Sequence, residues 1–318
     1  MDIDGRVDFL GNCLDVSCSL PATISDEIRL ERPTAGHLKW FRTYLSKGTL
    51  NNSELKSSFE SELIEVDREK SIYTSQPLAR DDWKYLTVTS KGRGIEVHEF
   101  FMIANLLRPT LWSVAHRMTT EPFGRGKAAG WGFDPLESVA KLFLPEFKAT
   151  AERFDDEKVI NLREALQDFR ALDSSRFQDI RRAVRLLHDL KMVPRFSQLL
   201  VLGKFSVLEM LLTHNPELQG NDDSIGHQIR TKIALVDRRL PTPLDYSSFR
   251  GSKPNQVWSA LYAYRSAVAH GGSIDFRGKN LKHAQSKIIA DEFISTAVRA
   301  ILRHALKEPE LFESLKPI

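Results

Sequence analysis

Leu261-Tyr262-Ala263-Tyr264-Arg265-Ser266-Ala267-Val268-Ala269-His270-Gly271-Gly272 is an apolar helical segment that carries an arginine and a histidine five residues apart. The pattern predicts a helix that ends at His270, because Gly271 readily takes the left-handed conformation found just beyond helix ends. A histidine in the last turn of a helix lies near the negative end of the helix dipole, which favours its imidazolium form. His270 is therefore placed to act as a proton donor.

Arginine and histidine together suit the cleavage of RNA. RNA carries its own nucleophile, the 2′-hydroxyl, so the protein must supply one group that moves protons and another that stabilises the charge growing on the phosphorane. Histidine can move protons near neutral pH, and arginine stays charged and offers a planar fork that matches phosphate oxygens. If RNA is the substrate, His270 can move the protons and Arg265 can bind the phosphate.

The spacing of the two residues complicates a site built from one copy of the segment. Five residues at about 100° each place Arg265 and His270 roughly 140° apart around an ideal helix. Their side chains therefore do not share one face of the helix. A single copy is a poor active site on these grounds.

The lead-in rich in Tyr and Leu, the arginine and histidine with four residues between them, and the glycine exit resemble the active-site signature of the HEPN superfamily. The likeness is to its Apea-like branch, found in antiviral and abortive-infection proteins, and covers roughly residues 175 to 310. The resemblance implies a metal-independent endoribonuclease with catalytic Arg265 and His270 and with Tyr262 and Ser266 in support. It also implies a homodimer, because HEPN domains pair through these helices and set two motifs across one cleft.

Glu209 is the one acidic residue of a densely apolar helical run that ends at Leu212. It lies in line with Phe205 and Leu212, at offsets of four and three residues, so it is expected to be buried. A buried carboxylate needs a partner or takes up a proton. Apea-like domains carry a Phe-x-x-Leu-Glu-type segment here, matched by Phe205 to Glu209, so we expect Glu209 to hold the Arg265 guanidinium or a neighbouring donor. An acid that reaches solvent or ties two core helices together is the alternative.

The composition is that of a soluble protein without a metal or cofactor site. The chain has 318 residues, of which 42% are hydrophobic and 27% charged, enough for two domains of ordinary size. No apolar run approaches the ~18 residues of a membrane span, and the acidic start Met1-Asp2-Ile3-Asp4 is unlike a signal peptide, so a cytoplasmic protein is predicted. Cys13 and Cys18 are too few for a zinc site of four thiolates and are expected to be reduced, and the histidines show no metal-ligand spacing.

Charge is divided unevenly along the chain. From residue 175 onward there are 22 Lys and Arg against 14 Asp and Glu, a net of +8, which leaves 23 against 28, a net of −5, for residues 1 to 174. The basic half is the half with the motif, and a positive surface steers polyanions toward it. Two arginine clusters in this half are expected to be solvated faces more often than RNA tracks: Arg181, Arg182 and Arg185, and Arg238 and Arg239.

The first half of the chain mixes both kinds of secondary structure. Period-two alternation predicts strands at Glu27–Arg32, Glu62–Val66 and Lys84–Thr89, and a further strand is possible at Leu111–Met118. Helical spacing occurs at Ala35–Ser46 and Ile95–Leu107. Residues 1–155 are therefore predicted as an α+β N-terminal domain.

Residues 156–318 show one helical pattern after another. Candidate helices, separated by Pro, Gly and Asn-Pro breaks, are 157–172, 174–191, 195–214, 223–239, 255–270 and 284–306. Ser174, Asp223 and Ser252 to Asn255 offer N-cap chemistry. The predicted fold class is thus an α+β domain followed by an all-α bundle of the HEPN type.

Two functions from different classes fit these patterns. The first is a ribonuclease of host antiviral defence that stays silent until the N-terminal domain senses an invader-derived trigger. The second is a non-catalytic HEPN module that uses the same bundle for dimerisation or for binding nucleic acid. RNA is the expected partner in the first case, and neither function needs a cofactor.

Overall fold

The computed structural model describes residues 5–11, 14–39, 60–67, 72–79, 86–90, 95–107, 112–120, 128–133, 152–194, 197–214 and 224–316. The chain divides into two compact units, Met1–Ala104 with Arg108–Glu164 and Asn105–Leu107 with Ala165–Ile318. The first unit contains β-sheet as well as helix, whereas the second is helical. An α+β N-terminal region followed by a helical C-terminal part, as the sequence predicts, is therefore present.

The first unit is built on a six-stranded antiparallel sheet with the strand order β3-β4-β7-β1-β8-β9. A parallel pair joins β10 to β2, and β5 and β6 form an antiparallel hairpin. The strands are β1 Gly5–Gly11, β2 Leu14–Val16, β3 Ala22–Thr23, β4 Ile28–Glu31, β5 Ser61–Asp67, β6 Ile72–Pro77, β7 Leu86–Ser90, β8 Trp112–Thr120, β9 Ala128–Phe133 and β10 Glu152–Phe154. All four predicted strands are among them, as β4, β5, β7 and β8.

One helix of the first region was predicted with the bounds that it has, α1 at Ile95–Leu107. It is mostly apolar, and Val97, Phe100 and Ile103 are fully buried, whereas His98 near its start is exposed. Such a helix belongs inside a core rather than on a surface. The helix predicted at Ala35–Ser46 is seen at residues 35–39, and its remainder lies outside the described residues.

The second unit places α4 at its centre, where it contacts α3, α5, α6 and α7. Its side chains Val201, Phe205, Val207 and Leu208 are buried, as the apolar run predicts. The helices are α2 Asp156–Ala171, which crosses the boundary between the units, α3 Gln178–Asp189, α4 Leu199–Leu212, α5 Ile225–Asp237, α6 Pro254–His270, α7 Lys287–Lys307 and α8 Pro309–Ser314. None of the helices in the described ranges is both long and apolar enough to span a bilayer.

The helix starts differ from prediction at their N-caps. The cap position of α6 falls on Lys253, within the predicted Ser252 to Asn255, and its N–H donates to the Gln256 side-chain oxygen at 2.9 Å. Ser174 does not cap a helix, because α3 begins only at Gln178 and Ser174 lies in a turn closed by Asp173, whose carboxylate accepts hydrogen bonds from the Ser175 and Arg176 N–H groups. Asp223 lies outside the described residues, and Ser224 caps α5 by accepting from the His227 N–H at 3.3 Å.

Arginines of the two predicted clusters support the fold. Arg181 donates to the carbonyl oxygens of Phe169 and Leu172 at 3.1 and 2.9 Å, so it satisfies carbonyl groups at the C-terminal end of α2. Its guanidinium also lies 4.8 Å from the centre of the Phe169 ring. Arg239 pairs with Glu308 at 2.7 Å. These contacts occupy the cationic groups of both residues within the helical unit.

Lys204 is a mostly buried cation between α4 and α7. Its ammonium group donates to the Ser295 hydroxyl and, at 3.4 Å, to the Asp291 carbonyl oxygen. Burial lowers the pKa of Lys204 from 10.5 to about 8, although the Asp291 carboxylate opposes this shift. That carboxylate has its own partner, the Lys287 ammonium at 2.5 Å.

Replacement of Lys204 by methionine is expected to raise the free energy of unfolding by ~1–3 kcal/mol near neutral pH. Below pH 8 the folded state bears the full cost of the buried charge, whereas between pH 8 and 10.5 the unfolded chain binds more protons than the folded one. The free energy of unfolding of the wild-type protein therefore rises with pH between pH 8 and 10.5, and its difference from that of Lys204→Met should shrink. Urea unfolding of both proteins near neutral pH and near the upper end of the window measures this difference. A variant less stable than wild type at neutral pH would contradict it.

Candidate active site

The motif helix α6 ends where the sequence predicts. Its last residue is His270, and Gly271 follows with φ 66° and ψ 24°, in the left-handed region that favours glycine. The Gly272 N–H donates to the Ala267 carbonyl oxygen at 2.8 Å, which closes the end of the helix. The imidazole of His270 therefore projects from a terminal turn of fixed geometry.

The buried face of α6 anchors the motif in the bundle. Val257, Leu261 and Tyr264 are fully buried, and the Tyr264 ring meets the Phe276 ring edge-on at 5.2 Å. Burial raises the pKa of Tyr264, and the nearby Asp291 carboxylate raises it further. The Tyr264 phenol therefore stays neutral. Arg265, the next residue along α6, lies at the edge of this buried face.

Arg265 forms an ion pair with Glu209 of α4. One terminal nitrogen of its guanidinium, Nη2, lies 3.0 Å from Glu209 Oε1 and donates to Oε2 at 3.2 Å. The Arg265 side chain is 24% exposed and that of Glu209 is 18% exposed, so the pair is largely withdrawn from solvent without being sealed from it. The predicted contact between these residues is therefore present. Burial raises the pKa of the Glu209 carboxyl, and the Arg265 cation partly opposes that shift.

Tyr262 forms a second support for the arginine. The Arg265 guanidinium carbon lies 5.7 Å from the centre of the Tyr262 ring, within the range of a cation–π contact. That ring is itself held edge-on to Phe205 of α4 at 5.9 Å. Burial, more than the nearby charges, raises the pKa of Tyr262. The guanidinium thus has a carboxylate and an aromatic ring as neighbours, and both come from packed helices.

Gly226, in the first turn of α5, was not predicted to matter and borders this cluster directly. A Cβ atom built on Gly226 would lie 2.9 Å from two carbon atoms of the Tyr262 ring, closer than side chains approach one another. The close approach of α5 to Tyr262 therefore requires glycine at this position. No periodicity or charge pattern in the sequence marks such a contact.

Gly226→Ala is expected to lower the free energy of unfolding by ~1–3 kcal/mol, because the aromatic ring or the helix must shift to admit the methyl group. A displaced Tyr262 no longer supports the Arg265 guanidinium, so any reaction that depends on Arg265 should slow as well. Chemical denaturation of Gly226→Ala measures the first effect. Ala267→Gly, which leaves the Tyr262 environment intact, provides a comparison on the motif helix. Wild-type stability in Gly226→Ala would contradict the packing argument.

His270 is exposed at the end of α6, away from the ion pair. Within the part of the chain that the structure describes, its imidazole makes no hydrogen bond and no ion pair. An ideal helix separates it from Arg265 by roughly 140° and by ~7.5 Å along the axis. Ser266 is half-buried on the same helix. Within one chain the structure thus brings Arg265, Glu209 and Tyr262 together, but it leaves His270 outside that group.

Positive charge is concentrated around the motif. Residues 250–290 contain seven Lys and Arg and one Asp, so a net of +6 out of the +8 found from residue 175 onward falls in this short stretch. The described ranges contain no group of three or more His, Cys, Asp and Glu side chains arranged to hold a metal ion.

Comparison of the whole chain with protein-family models, with curated proteins and with solved structures finds no match. Membership of the HEPN superfamily therefore remains a prediction from two segments of sequence, the motif at 261–272 and the run from Phe205 to Glu209. The contact between Arg265 and Glu209 joins those two segments in space.

Proposed function

We propose that this protein is a metal-independent endoribonuclease of the HEPN type that acts in antiviral defence. The observation that carries the proposal is the placement of Arg265 on α6, fixed by Glu209 and Tyr262, five residues before an exposed His270 at the end of the same helix. A fixed cation and a solvent-accessible imidazole are the two groups that cleavage through the 2′-hydroxyl requires.

The reaction follows from these two groups. Arg265 binds the non-bridging oxygens of the scissile phosphate and stabilises the charge that grows there as the 2′-oxygen attacks phosphorus. His270 donates a proton to the departing 5′-oxygen, and the proton of the 2′-hydroxyl passes to water. The bond from phosphorus to the 5′-oxygen breaks. Products with a 2′,3′-cyclic phosphate and a 5′-hydroxyl result.

Glu209 and Tyr262 act on this reaction through Arg265. The two carboxylate oxygens of Glu209 engage Nη2, and the Tyr262 ring lies beside the guanidinium, so the orientation of the fork is restricted before any substrate binds. Restricting the fork in advance removes an entropic cost from phosphate binding. Glu209 and Tyr262 are therefore positioning residues in this proposal. Ser266, half-buried one turn before His270, is assigned a supporting role on the resemblance alone.

A homodimer formed through the helical unit completes the site. Arg265 and His270 of one chain point in different directions, whereas a two-fold axis beside α6 can place Arg265 of one chain opposite His270 of the other. The N-terminal α+β unit is then free to hold the trigger-sensing function. In this arrangement two helical units form the nuclease, and the N-terminal unit of each chain controls it.

Cleavage of RNA in the presence of excess EDTA tests the proposal. Purified protein is incubated with labelled tRNA and mRNA, and the product ends are analysed for 2′,3′-cyclic phosphate and 5′-hydroxyl. An all-deoxy strand, which lacks the nucleophile, should remain whole. Cleavage of that strand, or strict dependence on magnesium, would refute the proposed chemistry.

A mixture of two inactive variants tests the shared site. Arg265→Ala and His270→Ala proteins, unfolded together and refolded, form mixed dimers in half of the cases, and each mixed dimer keeps one intact pair of Arg265 and His270 contributed by different chains. About a quarter of wild-type cleavage should return if the pair comes from both chains of a symmetric dimer. No recovery, with mixed dimers demonstrated by differential tagging, would mean that each chain works alone.

A non-catalytic HEPN module is the second candidate, and one observation favours it. Glu209 engages the Arg265 guanidinium within the chain, which partly neutralises the charge that a phosphate would need. A protein that dimerises and binds RNA, yet leaves RNA intact both in EDTA and in magnesium, would have this function. The EDTA experiment with a magnesium arm therefore separates the two candidates.

A further inference from the structure

Five exposed cations border the motif helix and have no anionic partner among the described residues. Two of them precede α6 and three follow it. They are Arg250, Lys253, Arg277, Lys279 and Lys282, here called the basic surface.

Contacts between the segments before and after α6 hold the basic surface together. The Ser252 hydroxyl lies 3.0 Å from His283 Nδ1. Lys253 follows Ser252 and Lys282 precedes His283, so these two cations belong to segments that are in contact. The Gln285 side-chain amide donates to the Phe249 carbonyl oxygen at 3.5 Å. These contacts join residues 249–252 to residues 283–285, so cations that are distant in sequence share one region of the unit.

Phe276 connects this region to the candidate site. Its ring packs edge-on against Tyr264 at 5.2 Å, and Tyr264 directly precedes Arg265. Arg277 therefore follows a residue that is packed onto the motif helix. Asp275, the only acid between residues 250 and 290, accepts a hydrogen bond from the Arg277 N–H at 2.9 Å and belongs to this turn.

The basic surface differs from three cations elsewhere in the helical unit. Arg176, Arg239 and Lys316 pair with carboxylates at 2.5 to 2.7 Å, so their charges are used inside the unit. Arg250, by contrast, has a φ of 42°, in the left-handed region where glycine or asparagine is favoured. Arg250 takes this conformation as the residue that ends the one-turn helix Ser247–Phe249, so its backbone is fixed by the fold while its side chain stays exposed.

We propose that the basic surface binds the sugar–phosphate backbone of single-stranded RNA and leads the strand to Arg265 and His270. The choice of RNA rests on the proposed function, whereas the polyanionic character of the ligand follows from the five unpaired cations. No large apolar side chain between residues 250 and 282 is among the exposed ones of the described chain, so the surface lacks the groups that enter a lipid bilayer. Recognition is through phosphates and is therefore independent of base sequence.

Binding of fluorescently labelled 2′-O-methyl RNA to the full-length protein, measured by anisotropy over a range of salt concentrations, tests this inference. The probe cannot be cleaved through its 2′-oxygen, so binding is read separately from catalysis. Each phosphate contact with a single strand contributes about 0.7 to the slope of log affinity against log salt. Lys279→Gln with Lys282→Gln, and separately Arg250→Gln with Lys253→Gln, should each lower that slope by about 1.4 and weaken binding roughly 25-fold at ~0.1 M salt.

The matched control removes the same charge elsewhere. Arg185→Gln with Arg238→Gln takes two exposed cations from α3 and from the end of α5, and it should leave affinity within about two-fold of wild type. Thermal unfolding by circular dichroism confirms that all three double variants are folded.

Equal weakening by the control pair, or wild-type affinity in both surface pairs, would overturn the inference. Binding to anionic phospholipid vesicles without binding to the RNA probe would overturn it as well. A wild-type protein that binds the probe through this surface but cleaves no RNA supports the basic surface and refutes only the proposed function. Cleavage by wild type that is unchanged in both surface pairs refutes only the surface.

Discussion

Replacement of His270 by alanine is expected to abolish RNA cleavage while leaving the melting temperature unchanged. The imidazole is exposed at the end of α6 and makes no hydrogen bond or ion pair within the described part of the chain, so its loss removes no stabilising contact. A positioned general acid contributes on the order of 10²–10⁴-fold to the rate, which sets the expected loss in single-turnover cleavage. Affinity for a non-cleavable RNA should be retained, because Arg265 and the basic surface are untouched.

Arg265→Ala is expected to differ from His270→Ala in its effect on binding. Loss of the guanidinium removes the phosphate contact, so both turnover and affinity should fall. Arg265→Lys serves as the matched control, because it keeps the charge but not the planar fork, and only partial activity should remain. If His270→Ala weakened RNA binding as much as Arg265→Ala, or if either variant cleaved like wild type, the assigned roles would be wrong.

The helical unit was predictable because its signals are local. Helical periodicity and Pro or Gly breaks are set by neighbouring residues, and each of the six predicted helices is present with its ends within four residues of the prediction. The C-terminal end of α6 was predicted at the correct residue, His270. Gly271 takes the left-handed conformation that glycine favours just beyond a helix end. Ser174 failed as an N-cap because the Asp173 carboxylate closes a turn there instead.

The strands that the sequence did not reveal depend on long-range pairing. The strand β1 forms hydrogen bonds with β7 and with β8, which lie far along the chain, and the short β2 is completed by β10. The strand β9, Ala-Ala-Gly-Trp-Gly-Phe, contains glycine and alanine, which disfavour strands in isolation. Their formation is a property of the whole sheet, so local alternation could not predict them.

The candidate site was partly predictable for a comparable reason. An acid in a densely apolar helix needs a partner, and that requirement predicted a contact of Glu209 with Arg265 or a neighbouring donor; the structure has the contact with Arg265. The contact between Gly226 and Tyr262 could not be predicted in this way, because nothing in the sequence indicates which side chain packs against a glycine. The concentration of charge in residues 250–290 was visible in the composition, but the contacts that bring the cations before and after α6 into one region needed coordinates.

Glu209→Ala is expected to reduce the free energy of unfolding by ~1–3 kcal/mol and cleavage by as much as ~10²-fold. The first effect arises because the largely buried Arg265 cation is left without its partner, a cost moderated by its 24% exposure. The second arises because a guanidinium free to rotate no longer meets the phosphate in a fixed orientation. Urea unfolding and single-turnover cleavage measure the two effects, and unchanged values in both would remove Glu209 from the site.

A double-mutant cycle separates the cost of the unpaired cation from the value of the pair itself. Burial raises the pKa of Glu209 above its unfolded value in spite of Arg265, so the folded protein binds the proton more tightly than the unfolded chain does. The stability conferred by this position is therefore largest at low pH and falls as the pH rises through the folded pKa. Buried ion pairs often add little over apolar side chains of similar size, so Glu209→Met with Arg265→Met should unfold close to wild type while Glu209→Met alone does not. A double variant as unstable as the single one would mean that the destabilisation arises from lost packing around Glu209 rather than from the uncompensated charge of Arg265.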